Sequence, residues 1–320
     1  MTRTAAGPGQ RVLVTGGSGF VGPHVVRELA SRGYSVRAAA RAPLEALLPG
    51  VEYAILPDLS KPFDARPVVA RIDVVVHLAG IAHTRAALPE SAYQAVNTNS
   101  AQRFAEAARD AGVKKFVFLS SVRAQCGPSA SGVIDEQMAP SPTDAYGRSK
   151  LAAEVAIAEV LSGSTTAWVA LRPVLVYGDG VKGNMQSLFR LAQSPLPLPV
   201  AGLTSRRSLL SIGNLASAIV HAMTAPSMAC MPYLVADAEA LTVPDIITAL
   251  RNGLGRRRGL FTVPQALLAA PLRLMGRAAL LDRLTGDLVV DTSRLTATGW
   301  SPPEATRAAL AAAIKSTSVP

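Results

Sequence analysis

The sequence has little cysteine, few aromatics and no hydrophobic run long enough to cross a bilayer. Its two cysteines, Cys126 and Cys230, lie far apart in 320 residues and form no CxxC pair. That excludes a disulfide-stapled scaffold and a cysteine-based zinc site, and it suits a reducing compartment. The four histidines (His24, His77, His83, His221) show no metal-ligand spacing either, so no metal is expected. Aromatics make up 5% of the residues and do not interleave with the basic ones, so a nucleic-acid partner is not expected. The most apolar stretch, 260–281, is interrupted by Pro271, Arg273 and Arg277. It cannot span a membrane, although a basic, apolar helix of this kind could lie on a membrane surface. The N-terminal "MTRTAAGPGQ" lacks the apolar region of a signal peptide, and a soluble cytoplasmic protein is the expectation.

Acidic residues are outnumbered as well, 22 against 32 Lys and Arg, for a formal charge of +10. Such a balance attracts phosphate-bearing ligands, nucleic acid or an anionic membrane; equally, it decorates a solvated face. The cations are scattered except in "RRSLL" (206–210) and "GRRRG" (255–259). What is plentiful is core material: 49% of the residues are hydrophobic, enough for one large α/β domain or two intimate ones.

The first half alternates apolar β-branched runs with helical patterns. "RVLVTG", "YSVRAAAR", "VEYAILPD", "IDVVVHLAG", "KKFVFLSS" and "TTAWVALRP" read as six strands. Helical periodicity lies between them, including a long helix over roughly 91–111. Continuously hydrophobic strands alternating with helices mean a parallel sheet covered on both faces. The expected fold is therefore α/β, a doubly wound, Rossmann-like parallel sheet. Residues 1–178 form a dinucleotide-binding domain, and a smaller C-terminal portion, 179–320, binds substrate and interleaves with it.

"VTGGSGFVG" sits between the first strand and the first helix, with Gly16, Gly19 and Gly22 three residues apart. Glycines there allow a tight turn and let backbone N–H groups approach a pyrophosphate at the positive end of a helix. Phe20 and Val21, in the same turn, are cofactor-binding candidates with the three glycines. The second strand ends "VRAAARAP", with Arg41 where an NAD-preferring site usually carries a carboxylate. A cation there would welcome a ribose 2′-phosphate, so NADP(H) is slightly preferred over NAD(H).

Tyr146 and Lys150 in "TDAYGRSKLAAE" are one helical turn apart and share a face. An isolated tyrosine titrates near ~10. An ammonium beside it should lower that value and make the phenol a general acid or base for a carbinol while hydride moves. A serine at the end of "FLSS" should orient the same oxygen.

Together, TGxxGxxG, "HLAG" (77–80), "LSS" and "YGRSK" resemble the extended short-chain dehydrogenase/reductase family over almost the whole chain. The resemblance implies catalytic Ser121, Tyr146 and Lys150, with Ser120 as the alternative serine. It implies that Asp58 and Leu59 lie by the adenine, and that Leu78, Ala79 and Gly80 lie along the cofactor. Asn97 would support the site, and Pro173 and Val174 would pass the nicotinamide.

Downstream, "GDGVKGNMQSLFRLAQ", "LPLPVAG", "RRSLLSIGNLASAI" and "DRLTGDLVVDTSRLTATGW" are similar to the sugar-nucleotide branch of that family. There Asn184, Arg207 and Arg283 would contact the diphosphate or nucleoside of a UDP-sugar, and Ser121 its reacting carbon. "SSVRAQ" lacks the Thr-Asp-Glu run of sugar-nucleotide dehydratases, which leaves oxidoreduction at C4 by a 4-epimerase or a 4-ketoreductase. The branch implies a homodimer through the 91–111 and 146–162 helices. A steroid- or flavonoid-type ketoreductase and a non-catalytic dinucleotide-binding protein are the other readings.

Overall fold

The computed structural model describes residues 9–41, 48–82, 88–181, 183–264 and 286–317. Seven strands build the main sheet: β1 (Arg11–Thr15), β2 (Ser35–Ala40), β3 (Glu52–Ile55), β4 (Val74–His77), β5 (Lys115–Leu119), β7 (Ala167–Pro173) and β10 (Pro232–Val235). Every pairing is parallel, in the order β10-β7-β5-β4-β1-β2-β3. The order reverses between β1 and β4. In an open parallel sheet, the crevice at such a switch point is where ligands bind, beyond the carboxyl ends of the strands.

Side-chain alternation explains the two layers. On one face Val12, Val14, Val74 and Val76 pack with α1 (Gly22–Ser31) and α7 (Ile212–Thr224). On the other, Leu13, Val75, Phe116 and Phe118 pack with α4 (Ser100–Asp110) and α5 (Ala145–Leu161). Both faces of β1 and β4 are fully buried, as their unbroken apolar runs predict. The short α2 (Arg66–Val69) covers the edge of the second layer.

The segment expected as one long helix is interrupted. α3 (Glu90–Tyr93) passes into a π-helical stretch, Gln94–Asn99, before α4 resumes. The extra residue per turn re-aims Asn97, and single π turns of this sort cluster at functional sites. α5 begins where Asp144 caps it, its carboxylate accepting from the Gly147 N–H at 2.7 Å.

Past residue 178 the chain builds a third core around Tyr177, Met185, Phe189, Leu209, Ile247 and Leu250. It unites α6 (Asn184–Gln193), α8 (Val243–Gly253) and the C-terminal helix Thr306–Thr317. A three-stranded sheet, β11 (Ala240–Thr242), β9 (Arg206–Ser211) and β8 (Leu175–Tyr177), borders this core. A two-stranded one joins β12 (Val289–Val290) to β6 (Val133–Ile134). Because β10 is an edge strand of the main sheet, the chain beyond residue 178 is woven into the first layer system.

Candidate active site

The glycine loop follows β1 and turns under β4. Gly16 has φ 74°, and a Cβ on it would lie 2.9 Å from the Ala79 backbone nitrogen. A Cβ on Gly22 would lie 2.3 Å from the Gly16 carbonyl oxygen. Neither position tolerates a side chain, so the loop packs tightly against the start of α1. Gly19 closes the turn, its N–H donating to Gly16 O at 2.9 Å. Phe20 and Val21 are half-buried and pack against the core, and the Phe20 ring meets His24 edge-on.

β4 delivers the next part of the cleft. The Ala79 N–H donates to Thr15 Oγ1 at 3.2 Å, and that hydroxyl bonds His77 Nδ1 at 3.0 Å. His77 is fully buried among Phe104, Phe116 and Phe118, and burial together with Lys150 lowers its pKa to about 3. A neutral imidazole thus fixes the loop carrying Leu78, Ala79 and Gly80. Asn97 holds the other side of that loop: its Oδ1 accepts from Ile81 N at 2.8 Å, and its Nδ2 donates to Ile81 O at 3.1 Å and Ser149 Oγ at 3.0 Å.

Ser120 and Ser121 follow β5, and Ser121 has extended backbone, so adjacent side chains there point to opposite sides. Ser120 donates into the buried carboxylate of Glu154. The Ser121 hydroxyl accepts from Arg123 N–H at 3.2 Å, and it is the group that pulls the Tyr146 phenol's pKa down most. The structure therefore brings Ser121, not Ser120, to the tyrosine. We expect Ser121→Ala to lower turnover about a hundredfold and Ser120→Ala to leave it within about threefold, measured as initial rates on one sugar nucleotide. Equal losses would remove the distinction.

Lys150 is buried, donates to Leu119 O at 2.9 Å and lies 4.8 Å from the centre of the Phe118 ring. A Cβ on Gly80 would stand 3.4 Å from its Nζ, so the ammonium lines the same cleft. Desolvation lowers its pKa from 10.5 to about 8, with Glu154 opposing.

One expectation needs correction here. The Tyr146 pKa is raised, not lowered: burial dominates, the Ser121 hydrogen bond and Arg123 pull it down, and Asp144 pushes it up. The ammonium donates to Leu119 O rather than to the phenol.

The remaining candidates are placed unequally. Arg41 is exposed beyond the end of β2. Asp58 is exposed beyond β3, its carboxylate held low by Ser60, while Leu59 next to it is buried. Pro173 ends β7, and Val174 is buried with its N–H on Val235 O at 3.1 Å. Arg207 on β9 is half-buried and donates to Pro128 O at 3.2 Å. Asn184 opens α6, and its side chain lies outside the described residues, as does all of Arg283.

Sequence reasoning missed the groups behind the site. Arg172 on β7 grips Glu154 with Nε at 2.9 Å and 3.2 Å from the two oxygens, and it also donates to Gln125. Arg123 bridges the site's rim, its Nη2 2.6 Å from Asp144. Glu154 stands one turn after Lys150, a spacing that was legible, but a lone Glu on a helix reads as solvated. Among the described residues no group of His, Cys, Asp or Glu could hold a metal ion.

The doubly wound sheet, the glycine-pinned turn and a Ser–Tyr–Lys cluster at the carboxyl edge define an extended short-chain dehydrogenase/reductase. A profile of the NAD dependent epimerase/dehydratase family matches residues 12–231, and the chain belongs to that family. It is an NAD-dependent enzyme of the extended type. The UDP-glucose 4-epimerase of Vibrio cholerae is 34% identical over 303 residues, covering 92% of this chain and 91% of its own. The solved UDP-glucuronic acid 4-epimerase from Bacillus cereus, in complex with NAD, superposes with TM-score 0.76 at 20% identity, covering 96% of each chain. The UDP-glucose 4-epimerase of Thermotoga maritima, solved with UDP-glucose, gives TM-score 0.75 at 19% identity, covering 96% of this chain and 98% of its own. At those identities the solved structures establish the fold alone.

Proposed function

We propose that the chain interconverts epimers at C4 of a UDP-linked hexose. The observation that carries this reading is 34% identity over 303 residues to a UDP-glucose 4-epimerase, joined to Ser121 acting on the Tyr146 phenol beside a buried Lys150. Residues 1–178 supply the cofactor cleft and the proton-handling groups. The later chain supplies the sugar-nucleotide side, where Asn184, Arg207 and Arg283 contact the diphosphate or nucleoside; an arginine fork suits that task.

The residues present fit NAD. Gly16 and Gly22 let the loop close against Ala79 and the start of α1 because neither carries a Cβ, a turn that suits a pyrophosphate at the helix N-terminus. Asp58 and Leu59 take the adenosine end, and Leu78, Ala79, Gly80, Pro173 and Val174 the nicotinamide end. When bound, the nicotinamide would supply reversible hydride acceptance at C4 of the sugar. Tyr146 takes the proton of the C4 hydroxyl in the first half and gives it back in the second, so atoms and charge balance. Ser121 holds the same oxygen through its hydroxyl. Burial keeps the free phenol protonated, which suits the acid step. The base step needs positive charge nearby, from Lys150 and the oxidised cofactor ring.

Lys150 is cationic below its pKa of about 8 and loses that charge as pH rises through it. The fall of kcat/KM should therefore begin near pH 8, and Lys150→Arg, which stays charged there, should lack that limb. A wild-type profile flat to pH 10 or above would deny Lys150 the role.

We take NAD as the cofactor, following the family. Exposed Arg41 is the one observation favouring NADP(H), and with it a 4-ketoreductase, since a dissociable reductant suits net reduction. Cofactor released from the purified protein by acid separates the two: bound NAD supports the epimerase, and an empty protein that oxidises NADPH with a UDP-4-keto sugar supports the reductase. Stabilisation by UDP against melting tests the substrate class. No shift with any UDP-sugar, alongside one with an apolar ketone, would favour a steroid- or flavonoid-type ketoreductase. We also propose a homodimer through α4 and α5, where Val155 is 50% exposed beside a groove of about 590 Å³ lined by Gln102, Leu151, Ala152 and Glu159.

A further inference from the structure

The "GRRRG" segment has no part in the reaction above, yet it is built into a fixed ridge. Two stretches, 193–201 and 255–263, run side by side on the far side of α6 and α8. Leu198 N–H donates to Gly259 O at 2.9 Å, Phe261 N–H to Leu198 O at 3.1 Å, and Ala201 N–H to Phe261 O at 3.1 Å. Buried Arg251 ties them from beneath. Its guanidinium donates to Arg258 O at 2.8 Å, Gly259 O at 3.0 Å, Ser194 O at 3.0 Å and Leu196 O at 2.8 Å. Pro195, Pro197 and Pro199 stiffen the first stretch further.

What this ridge displays is unusual for a solvated face. Arg256, Arg257 and Arg258 are exposed and form no ion pair among the described residues. Leu196 is 67% exposed and Phe261 46%, on backbone that is hydrogen-bonded together. Leu191, at the end of α6, adds a third exposed apolar side chain at 44%, beside exposed Arg190. Neither 180–236 nor 246–281 contains a single Asp or Glu, so the ridge carries no counter-charge of its own sequence. A surface that only needed solubility would mix signs and hide its leucines.

We propose that this ridge docks the enzyme on an anionic lipid bilayer, the arginines meeting headgroup phosphates and Leu196 and Phe261 entering the headgroup boundary. Cations and exposed apolar side chains on one rigid surface are the two ingredients of peripheral membrane binding. Each arginine near an anionic leaflet strengthens binding roughly fivefold, so three together contribute about a hundredfold. The attraction is lost beyond a Debye length and is therefore sensitive to salt. The other end of α6, about 15 Å away for a helix of 10 residues, follows Gly180, where a Cβ would lie 3.9 Å from the Phe20 ring of the glycine loop. Docking thus leaves the cleft open to water-borne UDP-sugar.

The test is co-sedimentation of the full chain with phosphatidylcholine vesicles, with and without about a third phosphatidylglycerol. The parent should pellet with the anionic vesicles only and be released by high salt. Replacing Arg256, Arg257 and Arg258 together by Gln should weaken partitioning about a hundredfold. Leu196→Ser with Phe261→Ser should weaken it less while leaving the salt response intact. Both variants should keep parental melting temperature and turnover, which separates lost docking from lost folding. Equal partitioning of parent and triple variant, or equal binding to neutral and anionic vesicles, would overturn the proposal. So would binding to heparin or duplex DNA without binding to vesicles, which would assign the ridge to a soluble polyanion.

Discussion

Tyr146→Phe should lower turnover about a thousandfold while the protein still retains its cofactor. The phenol oxygen is the only heavy atom lost, and Ser121 is the group that lowers its pKa most. The ring stays, packed edge-on to Tyr93 at 6.3 Å between centroids, so the start of α5 keeps its place. The proposed cofactor cradle is made elsewhere, by the loop after β1 and by the Thr15–His77–Ala79 chain. Activity and cofactor content should therefore separate. The measurement is kcat alongside acid-released NAD per subunit. A variant that loses both would mean the tyrosine shapes the site, and one that keeps turnover would mean another group handles the proton.

The largest effect on stability should come from the ion pair behind the site. Arg172 and Glu154 are 3% and 4% exposed, and Ser120 and Gln125 fill their remaining hydrogen-bonding capacity. Removing one partner leaves an uncompensated charge in the core, which costs about 3–5 kcal/mol. Glu154→Leu should thus lower the melting temperature by roughly 10 °C, read by calorimetry on the NAD-loaded protein. The double change Glu154→Leu, Arg172→Met removes both charges and should recover most of that loss. If the single change were as stable as the parent, the pair would have to be hydrated, against its burial. Turnover should fall as well, because Glu154 sits one turn from Lys150 and raises its pKa.

Much of this architecture was legible from residue order. The six strands of the first half were visible because both faces of a covered parallel sheet demand apolar side chains, which leaves runs such as "VVVH" with no polar break. The glycine loop was legible because its spacing is dictated by close contacts that only a missing Cβ permits. Tyr146 and Lys150 were found because a helix face has a fixed period. Ser121 was preferred over Ser120 from the resemblance alone, and the structure adds that Ser120 is taken up by Glu154.

What escaped depended on contacts distant in sequence. Nothing in the periodicity of 91–111 marks the π turn, because its purpose is the Asn97 clasp on Ile81, which forms only in the folded chain. The pairing of Glu154 with Arg172 spans 18 residues and joins a helix to a strand. The Tyr146 shift went the wrong way because proximity along a helix was read as proximity of charged atoms. In the structure the Lys150 ammonium turns to the Leu119 carbonyl, and burial decides the phenol.

The most direct measurement is a proton NMR time course of the purified enzyme with UDP-glucose and no added cofactor. Signals of UDP-galactose should grow to a stable ratio while absorbance at the reduced-nicotinamide band stays flat. An unchanged UDP-glucose spectrum, with NADPH consumed mole for mole once a UDP-4-keto sugar is supplied, would contradict a self-recycling epimerase.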